Sequence, residues 1–156
     1  MTLTHVYLFL HLLGAFCFFA GAAVAGTLQL AAIRRERPSE ILALLRLTRA
    51  GVALVGLGAL LTLVFGIALA EHMGYGMSPT WIQAALGLWV ASMALGGYGG
   101  RTARQARYLA ERLAGEGDEP STELRSLVAR RGPLWASYAS TILLLAIVAL
   151  MVWKPG

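Results

Sequence analysis

Charge is scarce in this chain. Asp, Glu, Lys and Arg make up 13% of its 156 residues, where a soluble domain carries about 25%. The scarcity is sharpest between Thr4 and Ala32, which contain no ionic side chain at all. With 58% hydrophobic residues, the chain has too few ionic groups to solvate a water-soluble surface, and its composition is that of a membrane protein. The length suits a single domain. Cysteine occurs once, at Cys17. That excludes an internal disulfide and a CxxC metal site, and inside an apolar run the thiol reads as a small packing group.

Recognisable catalytic signatures are also missing. There is no Walker loop, HExxH, GxSxG or dinucleotide fingerprint. No apolar run holds a carboxylate at depth, as proton-coupled pumps usually need, or a charged gating residue. Both absences argue against transport. The net charge of +5 does not point to nucleic acid, because the arginines lie in two loops beside apolar runs. There they read as topology signals and lipid-headgroup contacts.

What is present is four oily runs. The first, about 4–32, would reach roughly 43 Å as a helix, more than the ~30 Å hydrocarbon core of a bilayer. It is not expected to be a cleavable signal peptide, since no Lys or Arg precedes it and it exceeds a ~7–15-residue h-region. The others are about 50–70, 81–100 and 134–153. Trp81 fits an interfacial aromatic belt. The polar segments 33–49 and 101–133 hold twelve of the thirteen Lys and Arg, so the positive-inside rule places both in the cytoplasm and both termini outside. Within 33–49, Ser39 onward reads either as a short interfacial helix or as an extension of span two. Span three is expected to continue as a polar helix through Arg104, Arg107, Glu111 and Arg112, with a turn at 116–121 and a short helix after Ser121. Gly96–Gly100 reads as a close helix contact or a frayed exit. The expected fold is all-α: a polytopic membrane protein with an antiparallel four-transmembrane-helix bundle.

Small residues at Gly51, Gly58, Thr62 and Gly66 recur at spacings of seven, four and four. They therefore share one helix face, suited to close backbone approach. This favours a structural or accessory membrane protein, packed against itself or within a larger complex in the lipid bilayer.

Histidines carry the remaining chemistry. His5, His11 and His72 all fall toward the outer face of the expected topology. His11 lies roughly 9 Å deeper than His5 and about 120° round the helix, so the two do not clasp one metal from one face. His11 with His72 could serve haem iron. His5 and His72 with Glu71, Met73 and Met77 could serve copper, thioether favouring copper(I). Alternatively, His11 bridges two helices through a hydroxyl or a backbone carbonyl, since a buried imidazole needs a partner in lipid.

The segment Leu10-His11-Leu12-Leu13-Gly14-Ala15, Gly21, the Arg-rich third loop and the ending Met151-Val152-Trp153-Lys154-Pro155-Gly156 resemble a family of short bacterial integral membrane proteins, the domain of unknown function 2269 type. That resemblance implies a four-helix protein of the bacterial inner membrane without an assigned activity, with Gly21 among the packing glycines. A more distant likeness, through His11 and Gly21, is to the haem b-binding protoporphyrinogen oxidase family. It implies haem bound through His11, for electron transfer or porphyrin oxidation. That family uses a lysine in its third span, whereas the only lysine here is Lys154. CopD-type copper-resistance membrane proteins are a comparable distant likeness, which implies copper at the outward histidines and methionines.

Overall fold

The computed structural model describes residues 2–76 and 78–154, and among them the regular structure is entirely helical. Helix α1 covers Leu3–Ile33, free of proline and charge. It ends where the Arg34 N–H reaches back to the Ala31 carbonyl. Pro38 then opens α2, Pro38–His72, where its fixed φ and missing N–H suit a first helical position. No separate interfacial helix precedes it: Ser39 onward is the start of span two itself. Helix α3 covers Thr80–Gly115 and runs through the glycine cluster at 96–100 without a break. It ends at the turn before the short α4, Thr122–Val128, whose Leu124 N–H donates to the Ser121 hydroxyl. Helix α5 covers Arg131–Trp153 and tolerates Pro133 in its first turn.

Two antiparallel pairs result, α1 with α2 and α3 with α5, and α2 meets α3 to join them. The first pair interlocks through glycine. A Cβ on Gly58 would lie 2.6 Å from the Gly14 carbonyl oxygen, and one on Gly21 would lie 2.6 Å from that of Gly51. Side chains are excluded there, so the two backbones touch. The second pair is clasped by hydroxyls. Ser140 Oγ donates to the Ser92 carbonyl at 3.0 Å, and the two hydroxyls lie 2.7 Å apart in a buried site. Gly99 belongs to the same seam, since a Cβ there would sit 3.0 Å from Ser137 Oγ.

At the arginine-rich end, Ala32, Ile41, Leu42, Leu45, Ala106, Ala110, Leu124 and Val128 form one apolar cluster that ties α1 to α4 together. Asp118 closes it from outside. Its carboxylate accepts from the Ser39 N–H at 2.7 Å and the Ser39 hydroxyl at 2.6 Å, capping the α2 N-terminus. A smaller cluster of Phe18, Ala59 and Leu144 joins the pairs midway.

Away from these contacts the helices are oily on the outside. Phe16 is 72% exposed, Ile142 64% and Leu60 58%. A soluble monomer does not leave an apolar surface of this extent to water. Three segments are long and apolar enough to cross a membrane: Leu3–Ile33, Pro38–His72 and Thr122–Trp153. The third expected span, 81–100, lies in α3, outside that set. Gln83, Ser92 and four glycines between Gly96 and Gly100 dilute its apolar character. On α5 the exposed Trp135 and Trp153 stand about 27 Å apart by helical rise, near the thickness of a bilayer core.

Candidate functional site: an apolar cavity beside His11

Opposite the arginine-rich end the four long helices leave a cavity of about 560 Å³ between them. Its wall is almost wholly apolar, drawn from Leu8, Phe19, Leu63, Ile82, Leu86 and Val148 among others. That volume is within the ~300–1,000 Å³ of small-molecule sites, which pair apolar walls with a few placed polar groups.

The polar side chains among its lining residues are those of Thr4, His11, Thr62, Tyr75, Trp81, Trp89 and Lys154. His11 lies on α1 against α2, where Gly66 makes room for its ring. A Cβ on Gly66 would lie 2.8 Å from His11 Nδ1. The Nδ1 atom is 2.8 Å from the Thr62 carbonyl oxygen. A carbonyl only accepts, so Nδ1 carries the hydrogen and donates it. In the neutral ring this leaves the lone pair on Nε2, which has no hydrogen-bond partner among the described residues. A histidine whose Nδ1–H is tied to a carbonyl is held in one tautomer and one orientation, as metal-ligating histidines are. Thr62 Oγ1 and Trp89 Nε1 are buried without a hydrogen-bond partner. Each such orphan costs ~1–3 kcal/mol.

The other candidate ligands are placed elsewhere. His72 meets the Tyr7 ring edge-on at 5.8 Å, and His5 Nδ1 bonds the Thr2 hydroxyl. Neither lines the cavity, so the structure does not bring His11 and His72 together there. Met73 is on the cavity wall with Met151, while Met77 lies outside the described residues. Among those residues, no three His, Cys, Asp or Glu side chains gather as a metal site. Gly21, Gly51, Gly58 and Gly66 all lie on the α1–α2 seam. Sequence reasoning passed over Trp89 and the Thr62 carbonyl. A lone indole in mid-span was the available signal for the first, but a backbone acceptor leaves no signal in sequence. At the mouth, Lys154 Nζ stands 5.1 Å from the Tyr75 ring centroid and 5.7 Å from that of Trp81.

Long helices with uncharged apolar runs, an apolar exterior along them and arginines gathered at one end define a polytopic helical integral membrane protein. Residues 5–155 match the family model described as predicted integral membrane protein (DUF2269), and the chain belongs to that family. Neither a curated protein nor a solved structure matches it.

Proposed function

We propose that this is a four-span accessory protein of the bacterial inner membrane, and that its cavity holds a lipophilic cofactor of the b-type haem class through His11 Nε2. One observation carries the reading: an imidazole fixed by its Nδ1–H···O=C bond to Thr62, with its other nitrogen unpaired, on the wall of an apolar cavity of about 560 Å³. The residues present fit such a group. The walls suit a porphyrin face, Met73 and Met151 offer soft thioether donors on the same wall, and Lys154 supplies a cation at the mouth for carboxylates. Haem bound here would supply one-electron chemistry. The chain's own part is to position and insulate: His11 binds, Thr62 and Gly66 seat the ring, and the apolar wall excludes water.

In this reading α3 is the remaining span despite its weaker apolar character, because its pairing with α5 shelters the polar Ser92 and Gly99 from lipid. The twelve arginines then lie on the cytoplasmic side, with the termini and the cavity mouth outside. Copper at His5, His72, Met73 and Met77 has no comparable observation in its favour.

The test is absorption spectroscopy of the full chain expressed with ample haem. A Soret band is expected. It should be lost in His11→Ala and weakened in Gly66→Val, which keeps the imidazole but displaces it. A colourless wild-type protein under those conditions removes the haem reading.

A further inference from the structure

A second concavity, of about 560 Å³, opens between α2 and α3 on the arginine-rich side, lined by Arg46, Arg49, Arg107, Tyr108 and Glu111. Three arginines and one carboxylate line it, and that carboxylate is already taken: Arg46 Nη2 lies 2.6 Å from Glu111 Oε1. Arg49 and Arg107 have no ion pair among the described residues. The Arg107 guanidinium stands 5.2 Å from the Tyr108 ring centroid, which leaves the phenol beside it as a further donor.

The Arg46–Glu111 contact sets the register of the two helices. Arg49 and Arg107 lie about one turn from it along their helices, in the direction of the apolar runs. Arg49 is the last charged residue before the uncharged stretch from Ala50 to Ala70. On α2 the notch thus faces the level at which apolar helix gives way to polar helix, where the phosphates of a bilayer lie; on α3, Arg101 and Arg104 carry the positive charge roughly 9 Å further toward the apolar run. Guanidinium forks match phosphate oxygens in pairs, and basic pockets between helices at this level suit anionic headgroups.

We propose that this notch is a phosphate-binding site, occupied in the membrane by the phosphodiester of an anionic phospholipid. Arg49 and Arg107 contact the phosphate, the Tyr108 hydroxyl donates to it, and the Arg46–Glu111 pair frames the site. The inference requires the chain to lie in a bilayer. It does not depend on what the cavity near His11 holds.

Native mass spectrometry of the full chain in detergent, with phosphatidylglycerol or phosphatidylcholine added, tests it. Phosphatidylglycerol adducts are expected to survive where phosphatidylcholine adducts do not. Arg49→Gln/Arg107→Gln should weaken the phosphatidylglycerol adducts roughly tenfold or more. Arg130→Gln/Arg131→Gln, which removes the same charge elsewhere, should leave them. Arg107→Gln alone gives the same reading if the double variant does not fold. Millimolar inorganic phosphate identifies the source. Phosphate that binds the wild type and displaces the lipid, with both effects lost in the double variant, shows a site for free phosphate; phosphate that leaves the adducts intact shows a headgroup site. Undiminished phosphatidylglycerol adducts in Arg49→Gln/Arg107→Gln, or an equal loss in Arg130→Gln/Arg131→Gln, overturns the proposal. None of these outcomes alters the Soret test at His11.

Discussion

At the scale of single residues, glycine separates the touching surfaces from the free ones. A Cβ on Gly58 would collide with the α1 backbone, whereas one on Gly56 would meet nothing within 4 Å. Gly58→Ala is expected to destabilise the protein by ~1–3 kcal/mol through overpacking, and Gly56→Ala to be neutral or slightly stabilising. Thermal unfolding in one detergent compares the two. Asp118 gives a pH effect with a definite sign. The Ser39 hydroxyl and then the Ser39 N–H hold its carboxyl below the ordinary 3.8, with a smaller push from Arg37. A depressed folded pKa means that the cap is fully present above 3.8 and is lost as pH falls through the lower folded value. NMR titration should show the Asp118 carboxyl titrating below 3.8. In Ser39→Ala, which keeps only the N–H, it should move up toward that value.

Among the elements, the two helix pairs are held by different chemistry. The α1–α2 seam is backbone against backbone and tolerates no added volume. The α3–α5 seam relies on Ser92 and Ser140, which exchange hydrogen bonds in a buried site. Interhelical hydrogen bonds in membranes are worth ~0.6 kcal/mol on average and up to ~1.7. Ser92→Ala and Ser140→Ala should each cost about that much. The double variant should cost clearly less than their sum, since both lose the same clasp. At the arginine-rich end the short α4 is anchored by Leu124, which is fully buried in the cluster with Ile41, Ala106 and Ala110. Leu124→Ala is expected to cost ~2–5 kcal/mol, read as earlier unfolding and as faster proteolysis after Arg125 in α4.

For the whole molecule, the tightly packed end and the cavity end have opposite roles. Packing is continuous where α1, α2, α3 and α4 meet under the arginines, and it is interrupted where His11, Thr62 and Trp89 line the cavity. Stability at one end permits unsatisfied polar atoms at the other. The proposed four-span topology makes a direct prediction. Arg35→Cys and Arg107→Cys, each in a Cys17→Ala background, should be labelled by membrane-impermeant thiol reagents only after the cells are opened. Labelling of one of them in intact cells would contradict that topology.

Hydropathy alone determined that this chain is helical and membrane-bound, because a backbone in hydrocarbon must satisfy its own hydrogen bonds and the long uncharged runs admit only helices. Spacing alone showed that Gly51, Gly58, Thr62 and Gly66 share a face. Which helix that face meets, and that Gly14 and Gly21 answer it, was decided in three dimensions, since periodicity records one helix and not its partner. The polar continuation of α3 through Arg112 was legible in its helical spacing, whereas the choice between an interfacial helix and an extended α2 from Ser39 onward was open in sequence; the Asp118 cap and the Arg46–Glu111 pair hold that extension in place. His11 could be singled out from sequence as a polar group at depth. Its division into one nitrogen that holds two helices and one without a partner depends on a backbone carbonyl fifty-one residues away, and a carbonyl is the same in every residue.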